Sequence, residues 1–340
     1  MYIITGCAGF IGSHVAKRLL ESGEQVLGID SIDHSSDPRL KRWRIEPLLR
    51  HSQFKMFNGD ITDTSAIQSI SRRLIESGSR PTAMINMAGQ SSLRSANGEP
   101  HPGVDVNING TLNLLELCRK HRIKKFVSAS SANVYGNSSV GPADEAGPTD
   151  QPLSIYAASH KSAELLAHGY HHMHGLDVSM LRFFTDYGPA GRPDMSVLRF
   201  ARWIANGDAV TVYGDGSQER GYIYIDEVAR GVMAAVKLVG FETFNLGTSH
   251  PVTVKGLIST IESAIGRTAN IVVAPVNLAD VKSTWANVAK ARRILGWEPR
   301  ISLEEGIKAT IAWYMANREM VDALDLGMES APARPRKMVA

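Results

Sequence analysis

The sequence predicts an α/β protein: a Rossmann-type doubly wound parallel sheet with a smaller C-terminal substrate-binding lobe. Short apolar runs alternate with segments of helical periodicity through the first half of the chain, which is typical of a parallel sheet covered by helices on both faces. A glycine-rich stretch joins the first apolar run to the first helical segment. After about residue 186 the alternation gives way to loops rich in glycine and proline, short strands and later helices.

Six apolar runs in the first half are predicted strands, because each is short and is followed by a turn or a helical pattern. They are "MYIIT" (1–5), "EQVLGID" (24–30), "FKMFNGD" (54–60), "AMINMAG" (83–89), "KKFVSAS" (124–130) and "DVSMLRFF" (177–184). The intervening segments "IGSHVAKRLLESG" and "NGTLNLLELCRKH" predict helices. Further along, "LISTIESAIG" and "SLEEGIKATIAWYMAN" predict helices, and "TVYGDGSQERGYIYI" predicts a loop and a strand.

We therefore expect a Rossmann domain over residues 1–185, a smaller lobe over 186–327 and a flexible tail over 328–340. The later run "TFNLG" (243–247) fits a return of the chain to the first domain. A chain of this length exceeds one ordinary hydrophobic core, which favours two lobes.

Composition narrows the class of protein. Of 340 residues, 43% are hydrophobic and 21% charged, and the net charge of +3 is too weak to predict nucleic-acid binding. The only two cysteines, Cys7 and Cys118, have no metal-type spacing and favour a reducing compartment. The chain opens directly into a strand, and it has neither a basic leader nor a long apolar segment. We therefore expect a cytoplasmic protein without membrane association.

The stretch "ITGCAGFIGSH" predicts a dinucleotide site. Gly6, Gly9 and Gly12 form a G-x-x-G-x-x-G pattern between the first strand and the first helix. Glycine permits positive φ and close backbone approach, and the following helix N-terminus suits a pyrophosphate. Phe10 and Ile11, inside this turn, are expected at the cofactor. Because glycines alone are weak evidence, a purely structural turn is the alternative.

Asp30 strengthens the prediction. It ends the second strand, where an acid can hold the adenosine ribose 2′-hydroxyl. A carboxylate there repels a 2′-phosphate and no arginine immediately follows it, so NAD is preferred to NADP. Asp60, ending the third strand, has two interpretations: a neighbour of the adenine, or the N-cap of the helix at "TDTSAIQSI".

Taken together, the motifs resemble the extended short-chain dehydrogenase/reductase superfamily of sugar-nucleotide enzymes, and within it the UDP-glucuronate 4-epimerase group. The resemblance covers roughly residues 1–316. It rests on "TGCAGFIGSH", "NGDITD", "AGQSSLRS", "NINGTLNLLE", "SASSANVYG", "SIYAASHKSAE", "LRFFTDYGPAGRPDM", "FNLGTSHPV" and "KARRILGWEP".

The resemblance implies bound NAD and transient oxidation of the sugar. A tyrosine takes the proton of the sugar 4-hydroxyl while hydride leaves C4, and the 4-keto intermediate rotates and is reduced on its other face. A serine or threonine shares the hydrogen-bond relay, and a lysine lowers the tyrosine pKa. The resemblance places the tyrosine at Tyr156, the serine at Ser131 and, in place of the lysine, His160.

Other residues fall on binding positions of the family. For the cofactor the resemblance implies Ile61, Ala88, Gln90, Asn107, Tyr156 and His160. For a nucleotide-sugar substrate, with a UDP-linked sugar expected, it implies Arg94, Ser131, Asn133, Thr185, Arg192, Arg220 and Asp280. Thr185 corresponds to the family contact with the sugar and, in the uronate group, with its carboxylate.

The stretch before "VYG" favours epimerisation. Related 4,6-dehydratases carry an Asp-Glu pair there, and decarboxylases that make UDP-xylose carry a glutamate before the valine. Here those positions are Ala132 and Asn133. Elimination and decarboxylation therefore lack an expected acid/base group, which an epimerase does not need.

His160 is the main departure from the family. A residue four positions after Tyr156 returns to nearly the same helix face, whereas Lys161, five positions on, does not. Histidine titrates near pH ~6.5 and lowers a neighbouring tyrosine pKa less than lysine does. Three readings stay open: an active epimerase tuned by His160, a same-scaffold enzyme with altered chemistry or an unusual nucleotide sugar, and a nucleotide-binding protein that has lost catalysis.

Asp186 is a second departure, since the epimerases usually carry valine at this position. Its carboxylate would repel a uronate if it pointed into the sugar pocket. Neighbours on an extended segment face opposite sides, so we expect Asp186 to point away from the pocket if Thr185 points into it.

For assembly, the resemblance implies a homodimer through two helices per subunit, roughly residues 91–120 and 154–175. The helix "SAELLAHGYHHMHG" carries several histidines away from its apolar face. We expect these histidines to be solvated rather than to bind metal, since no carboxylate or cysteine completes a site. They are His168, His171, His172 and His174.

Overall fold

The computed structural model describes residues 1–32, 37–78, 80–89, 99–137, 141–275 and 282–324. Its strands, numbered in chain order, are β1 (Tyr2–Thr5), β2 (Val26–Asp30), β3 (Phe54–Asn58), β4 (Ala83–Asn86), β5 (Lys125–Ser131), β6 (Asp177–Phe183), β7 (Thr185–Tyr187), β8 (Ala209–Tyr213), β9 (Glu219–Arg220), β10 (Tyr222–Tyr224), β11 (Phe241–Leu246), β12 (Val252–Thr253), β13 (Asn270–Ala274) and β14 (Ser283–Thr284).

The helices in the described part are α1 (Phe10–Glu21), α2 (Pro38–Leu49), α3 (Thr64–Glu76), α4 (Pro100–Val104), α5 (Thr111–His121), α6 (Ile155–His174), α7 (Ser196–Asn206), α8 (Ile225–Ala234), α9 (Val254–Ile265), α10 (Ala289–Leu295), α11 (Leu303–Ala316) and α12 (Arg318–Asp322). A π-helical turn (Asp105–Gly110) joins α4 to α5, and a 3₁₀ turn (Ala132–Tyr135) follows β5. None of these helices combines the length and apolarity needed to cross a membrane.

The main sheet has seven parallel strands in the order β11-β6-β5-β4-β1-β2-β3. Chain order reverses between β1 and β4, so the crevice at the carboxyl ends of these strands is where a ligand is expected. The doubly wound α/β prediction is therefore confirmed. Strand β11, which contains most of "TFNLG", pairs with β6 at one edge of this sheet.

Both faces of the sheet are buried, which explains why its strands are continuous apolar runs rather than alternating ones. In β1, Ile3 packs into the core under α3 and α5, whereas its neighbour Ile4 packs into the core under α1 and α8. Met84 and Ile85 of β4 divide between the two cores in the same way. The alternation follows from the two-residue period of a strand.

A third core lies in the later part of the chain. Buried residues of α7, α9 and α11 pack together there with those of β8. Short strand pairs surround this core: β10 with β7, β13 with β8, and β9 between β12 and β14. These pairs place β7 and β9 beside the carboxyl edge of the main sheet, where both contribute to one cavity.

Candidate active site

A cavity of about 560 Å³ lies at the carboxyl ends of the parallel strands and extends to the third core. Residues that follow β1, β2, β5 and β6 line it on one side, and residues of β7, β8 and β9 line it on the other. A volume of this size is in the range of small-molecule sites.

The glycine-rich turn at one end of the cavity depends on glycine at two positions. Gly6 has φ +67°, and a Cβ there would lie 2.5 Å from the carbonyl oxygen of Met87. A Cβ on Gly12 would lie 2.1 Å from the carbonyl oxygen of Gly6. Only glycine fits this close turn, which leads directly into α1. The first N–H groups of a helix have no intrahelical partner, and Gly9, Phe10 and Ile11 at the start of α1 line the cavity.

Asp30, at the end of β2, is buried and held by three donors. Its carboxylate accepts from the backbone N–H of Ala8 (2.9 Å) and of Ile32 (3.0 Å), and Lys41 Nζ lies 3.3 Å away. A carboxylate has about four acceptor sites, so capacity remains for a ligand hydroxyl. Lys41 comes from α2 and also lines the cavity. The neighbourhood of Asp30 thus contains a cation that the sequence order did not reveal.

Asp60 lines the cavity next to Ile61 and forms a local turn, accepting from the backbone N–H and the hydroxyl of Thr62, each at 2.8 Å. The N-cap of α3 is Asp63, which accepts from the backbone N–H of Ser65. The N-cap interpretation of Asp60 is therefore wrong.

Tyr156 and Ser131 meet at the middle of the cavity. Ser131 ends β5, and Tyr156 lies in the first turn of α6, whose N-cap Ser154 accepts from the backbone N–H of Ala157. Burial raises the pKa of Tyr156, and Asp186 adds to this. A hydrogen bond with Ser131 and the charge of Arg192 act in the opposite direction. The phenol therefore has a relay partner and a nearby cation.

His160 lies one helical turn after Tyr156 on the same face of α6. The two ring centroids are 4.7 Å apart with an edge-to-face angle of 76°. Burial lowers the pKa of His160 to about 4, against the opposing effects of Glu164 and of a hydrogen bond to the carbonyl of Ala129. The imidazole is therefore neutral near pH 7, with one N–H donating to that carbonyl and the other nitrogen able to accept.

Lys161 does not take the place of the family lysine, because it turns to another partner. Its Nζ lies 3.4 Å from Glu164 Oε2, and Glu164 also accepts from Arg182 (2.8 Å) and from Ser130 Oγ (2.7 Å). This network is mostly buried and fixes α6 against β5 and β6.

The end of the cavity beside β7 contains several charges. Arg192 donates to Asp194 through Nε (3.1 Å) and Nη2 (2.6 Å). Thr185 and Asp186 are adjacent in β7, and both line the cavity. Burial raises the pKa of Asp186, while the charges of Arg192 and Arg44 act to lower it. The expectation that Asp186 points away is therefore wrong: the segment is short and its neighbours bring positive charge to the cavity side.

Most of the residues predicted for the site converge on this cavity. Those that line it are Gly6, Gly9, Phe10, Ile11, Gly12, Asp30, Asp60, Ile61, Ala88, Ser131, Asn133, Tyr156, His160, Thr185, Arg192 and Arg220. Asn107 is different: it is buried in the π-helical turn and donates to Ser159 Oγ at 2.9 Å, while its neighbour Val106 lines the cavity. Gln90, Arg94 and Asp280 lie outside the described residues.

Sequence reasoning missed the contribution of α2. Arg44 lines the cavity and donates to the carbonyl of Ala190 through Nε (3.0 Å) and Nη2 (2.8 Å), and to that of Ala8 at 3.4 Å. It thereby ties the glycine-rich turn to the loop that carries Arg192. The spacing of Lys41 and Arg44 along α2 gives no signal for this, because only tertiary packing brings α2 to the cavity.

Comparison with known proteins is consistent with this geometry. The family model described as GDP-mannose 4,6-dehydratase matches residues 3–310. The chain is 43% identical over 324 residues to a UDP-glucuronate 4-epimerase of Thermodesulfobacterium geofontis, covering 95% of this chain and 98% of that protein.

Two solved structures also share the fold, each with a TM-score of 0.85. Each alignment covers 93% of this chain and 99% of the chain in the solved structure. One is the UDP-glucuronic acid 4-epimerase of Bacillus cereus in complex with UDP-glucuronic acid and NAD, 32% identical. The other is the UDP-glucose 4-epimerase of Thermotoga maritima with UDP-glucose, 30% identical.

Proposed function

The chain belongs to the GDP-mannose 4,6-dehydratase family of the extended short-chain dehydrogenases/reductases, and from this premise we propose that it is an NAD-dependent UDP-sugar 4-epimerase acting on UDP-glucuronate and UDP-galacturonate. The observation that carries the proposal is the meeting of Tyr156 and Ser131 in the cavity that the glycine-rich turn also lines. Ala132 and Asn133 offer no carboxylate for elimination beside them.

The residues at the cofactor end fit NAD. The turn at Gly6–Gly12 and the start of α1 suit the pyrophosphate, and Asp30 has an acceptor site left for a ribose hydroxyl. Asp60 and Ile61 are proposed at the adenine end, and Ala88 on the facing wall. When bound, NAD supplies the acceptor and later the donor of the hydride that leaves and returns to C4.

Side chains of the protein are proposed to transfer the proton of the sugar 4-hydroxyl. Tyr156 is proposed to take the proton from the sugar 4-hydroxyl as the C4–H bond breaks, and to return it when the 4-keto group is reduced on its other face. Ser131 stabilises the phenolate by hydrogen bonding, and Arg192 stabilises it by charge. No net proton is consumed, because the same phenol donates what it accepted.

His160 is proposed to replace the family lysine as a neutral group. Its low pKa, about 4, means that it adds no positive charge beside Tyr156 at neutral pH. With one nitrogen committed to the Ala129 carbonyl, the other can accept from a hydroxyl of the cofactor ribose. Tyr156 is then ionised only at higher pH than a lysine-containing site would need.

For the substrate we propose that Thr185 and Arg192 bind the sugar and that Arg220, at the far end of the cavity, approaches the nucleotide phosphates. Asn133 is proposed near the sugar ring. Arg220 already donates to the carbonyl of Glu219 at 2.7 Å, which fixes its direction.

The test is a pH series with UDP-glucuronate, with product followed by NMR and the cofactor followed by NADH absorbance. We expect interconversion with UDP-galacturonate and no net NADH. At saturating UDP-glucuronate, kcat of the wild type should rise toward alkaline pH without a break near pH ~6.5, because His160 stays neutral there. His160→Lys should be faster near neutrality because a permanent cation lowers the pKa of Tyr156.

The matched control is His250→Lys, which adds the same charge on an exposed loop away from the cavity. Superimposable pH profiles for wild type and His160→Lys would remove the proposed role of His160. Stoichiometric NADH would point to a dehydrogenase instead. Absence of turnover by a folded protein that binds NAD would contradict the uronate epimerase itself.

We further propose a homodimer through α5 and α6, in the cytoplasm. On α6, Leu165 and Met173 are 61% and 73% exposed, as suits a helix that packs against a second copy. Both cysteines are free and buried, as suits a reducing compartment. Sedimentation equilibrium tests the first point: Leu165→Glu should shift a dimer toward monomer.

A further inference from the structure

Asp186 is the residue in the cavity that the family pattern does not explain. It lies in the middle of β7, opposite Ile223 of β10, and its carboxyl acts electrostatically on both Tyr156 and Arg192. In a site that binds an anionic sugar, a second carboxylate has to be accounted for, because like charges close together repel.

The charges around Asp186 come from three elements. Arg192 and Asp194 belong to the loop after β7, Arg44 to α2, and Tyr156 to α6. Arg192 already donates two hydrogen bonds to the Asp194 carboxylate, and Arg44 donates to the carbonyls of Ala190 and Ala8. Both arginines near Asp186 therefore also interact with other acceptors. Their positive charge compensates the negative charge of Asp186 only in part.

Stereochemistry then relates Asp186 to one part of the sugar. If Tyr156 contacts the 4-hydroxyl, C6 lies two bonds from C4, and we infer that its substituent meets Thr185 and Asp186 of β7, which line the same cavity. A hexose carries a hydroxymethyl group there, which donates to a carboxylate. A uronate carries a carboxylate there, which an ionised Asp186 repels but a protonated Asp186 can bind as a donor.

We propose that Asp186 is a specificity-determining residue: in its protonated form it admits a uronate at C6, and in its ionised form it disfavours the uronate relative to an uncharged hexose. This inference rests on the proposed 4-epimerase function, since it takes the sugar orientation from Tyr156. Uronate binding is then coupled to proton uptake, whereas hexose binding is not. The preference for the uronate should therefore fall as pH rises.

The burial of Asp186 supports a proton equilibrium that a substrate can shift. Burial raises its pKa, and a substrate carboxylate beside it would raise the pKa further. Arg192 and Arg44 oppose this, so the free site is able to release the proton.

The experiment compares UDP-glucuronate with UDP-glucose and uses the NAD-loaded protein. The pH runs from ~5.5 to ~8.5, above the ordinary pKa of an aspartate, where a raised pKa of Asp186 would show its effect. The ratio of kcat/KM for the two sugars is measured for wild type, Asp186→Asn and Asp186→Glu. The dissociation constants of both nucleotide sugars are measured by calorimetry in the same buffers, with melting curves to show that each variant is folded.

In wild type the uronate-to-hexose ratio should fall about tenfold or more across this range, as expected for one coupled proton. Asp186→Asn should raise the ratio at high pH and make it nearly independent of pH. Asp186→Glu keeps the charge and should keep the pH dependence. Equal ratios in wild type and Asp186→Asn at every pH would overturn the proposal.

Failure of the proposed function would look different. If no variant turns over either sugar, the epimerase is contradicted, and the ratio of dissociation constants then decides the role of Asp186 alone. A pH-dependent ratio in wild type that Asp186→Asn abolishes would support it; unchanged ratios would reject it.

Discussion

The cofactor end and the sugar end of the cavity are built in different ways. At the proposed cofactor end, the glycine-rich turn and the start of α1 form one continuous stretch, joined by Asp30, Asp60 and Ala88 at or just after the ends of neighbouring strands. The sugar end consists of side chains from α2, α6, β7 and β9, which are distant in sequence. Local backbone geometry constrains the first, whereas the second can change by single side-chain substitutions.

The departures from the family pattern follow this division. His160 and Asp186 lie at the catalytic and sugar end, and both side chains are placed in the cavity. At the cofactor end the pattern residues Gly6, Gly12 and Asp30 are all present in close contact. The departures from the family pattern thus fall at one end of the cavity, and four substitutions test this contrast, from the largest expected effect to the smallest.

Tyr156→Phe should separate the two ends most clearly. Removing the phenol hydroxyl should lower kcat by about 10²–10⁴-fold, because it removes the proposed acid/base group. NAD affinity should change little, since Asp30 and the glycine-rich turn are untouched. Steady-state kinetics and calorimetric NAD binding measure both. Loss of NAD binding with retained turnover would break the contrast.

Asp30→Asn should affect the cofactor end and the stability of the fold. It leaves buried Lys41 without its carboxylate, which costs about 3–5 kcal/mol of unfolding free energy. It should also weaken NAD binding about 10–100-fold, the loss of a charged hydrogen bond. Denaturant unfolding and NAD calorimetry measure the two effects.

The double variant Asp30→Asn/Lys41→Gln separates them, because it also removes the buried positive charge that Asp30 faces. We expect it to recover much of the stability but not the NAD affinity. Recovery of both would show that Asp30 serves Lys41 rather than the cofactor.

His160→Asn should change stability at acid pH. The pKa of His160 is about 4 in the fold, below its ordinary 6.5, so the unfolded chain binds more protons between these values. The contribution of neutral His160 to the free energy of unfolding is complete above pH 6.5. As pH falls from 6.5 toward 4, the free energy of unfolding decreases by roughly 3 kcal/mol on account of this residue. The variant should show a shallower loss in this window.

His14 provides the matched case at the cofactor end. It lies in α1, and burial lowers its pKa to about 4 as well, so His14→Asn should flatten the same acid limb. Urea unfolding at several pH values measures both variants. If only His14→Asn flattens the curve, His160 is not buried as a neutral group.

Gly12→Ala has the smallest expected effect. The added Cβ would meet the carbonyl oxygen of Gly6 at 2.1 Å, and separating them should cost about 1–3 kcal/mol and loosen NAD binding. Gly169→Ala has nothing of its own chain within 4 Å of the added Cβ and should instead stabilise α6 by up to about 1 kcal/mol. It is made in the Leu165→Glu background, because Gly169 lies one turn from Leu165 on the face proposed for the dimer. Thermal melts of both variants decide the sign.

The sequence predicted residues whose role depends on local order. Alternating apolar runs predicted the parallel strands, and the glycine spacing predicted the turn at the end of β1. The four-residue spacing of Tyr156 and His160 predicted that their side chains share one face, and the rings are 4.7 Å apart. Each of these follows from the fixed periods of strands and helices.

Sequence predictions failed, or were not made, where the position or partner of a side chain depends on a segment that is distant along the chain. Alternation on an extended segment predicted that Asp186 points away, but Thr185 and Asp186 both line the cavity, and the charges of Arg192 and Arg44 act on the Asp186 carboxyl. Asp60 was a possible helix cap, yet Asp63 caps α3. No local pattern indicated that Lys41 pairs with Asp30.

By itself the sequence determined the fold class, the cofactor turn and the helix that carries Tyr156 and His160, because these depend on residue spacing along continuous segments. Only the tertiary structure decided that burial keeps His160 neutral, that Lys161 pairs with Glu164 and that Asp186 lines the same cavity as Tyr156. The reason is physical: ionisation and side-chain direction depend on burial and on charges from other elements, and neither is encoded by spacing within one segment.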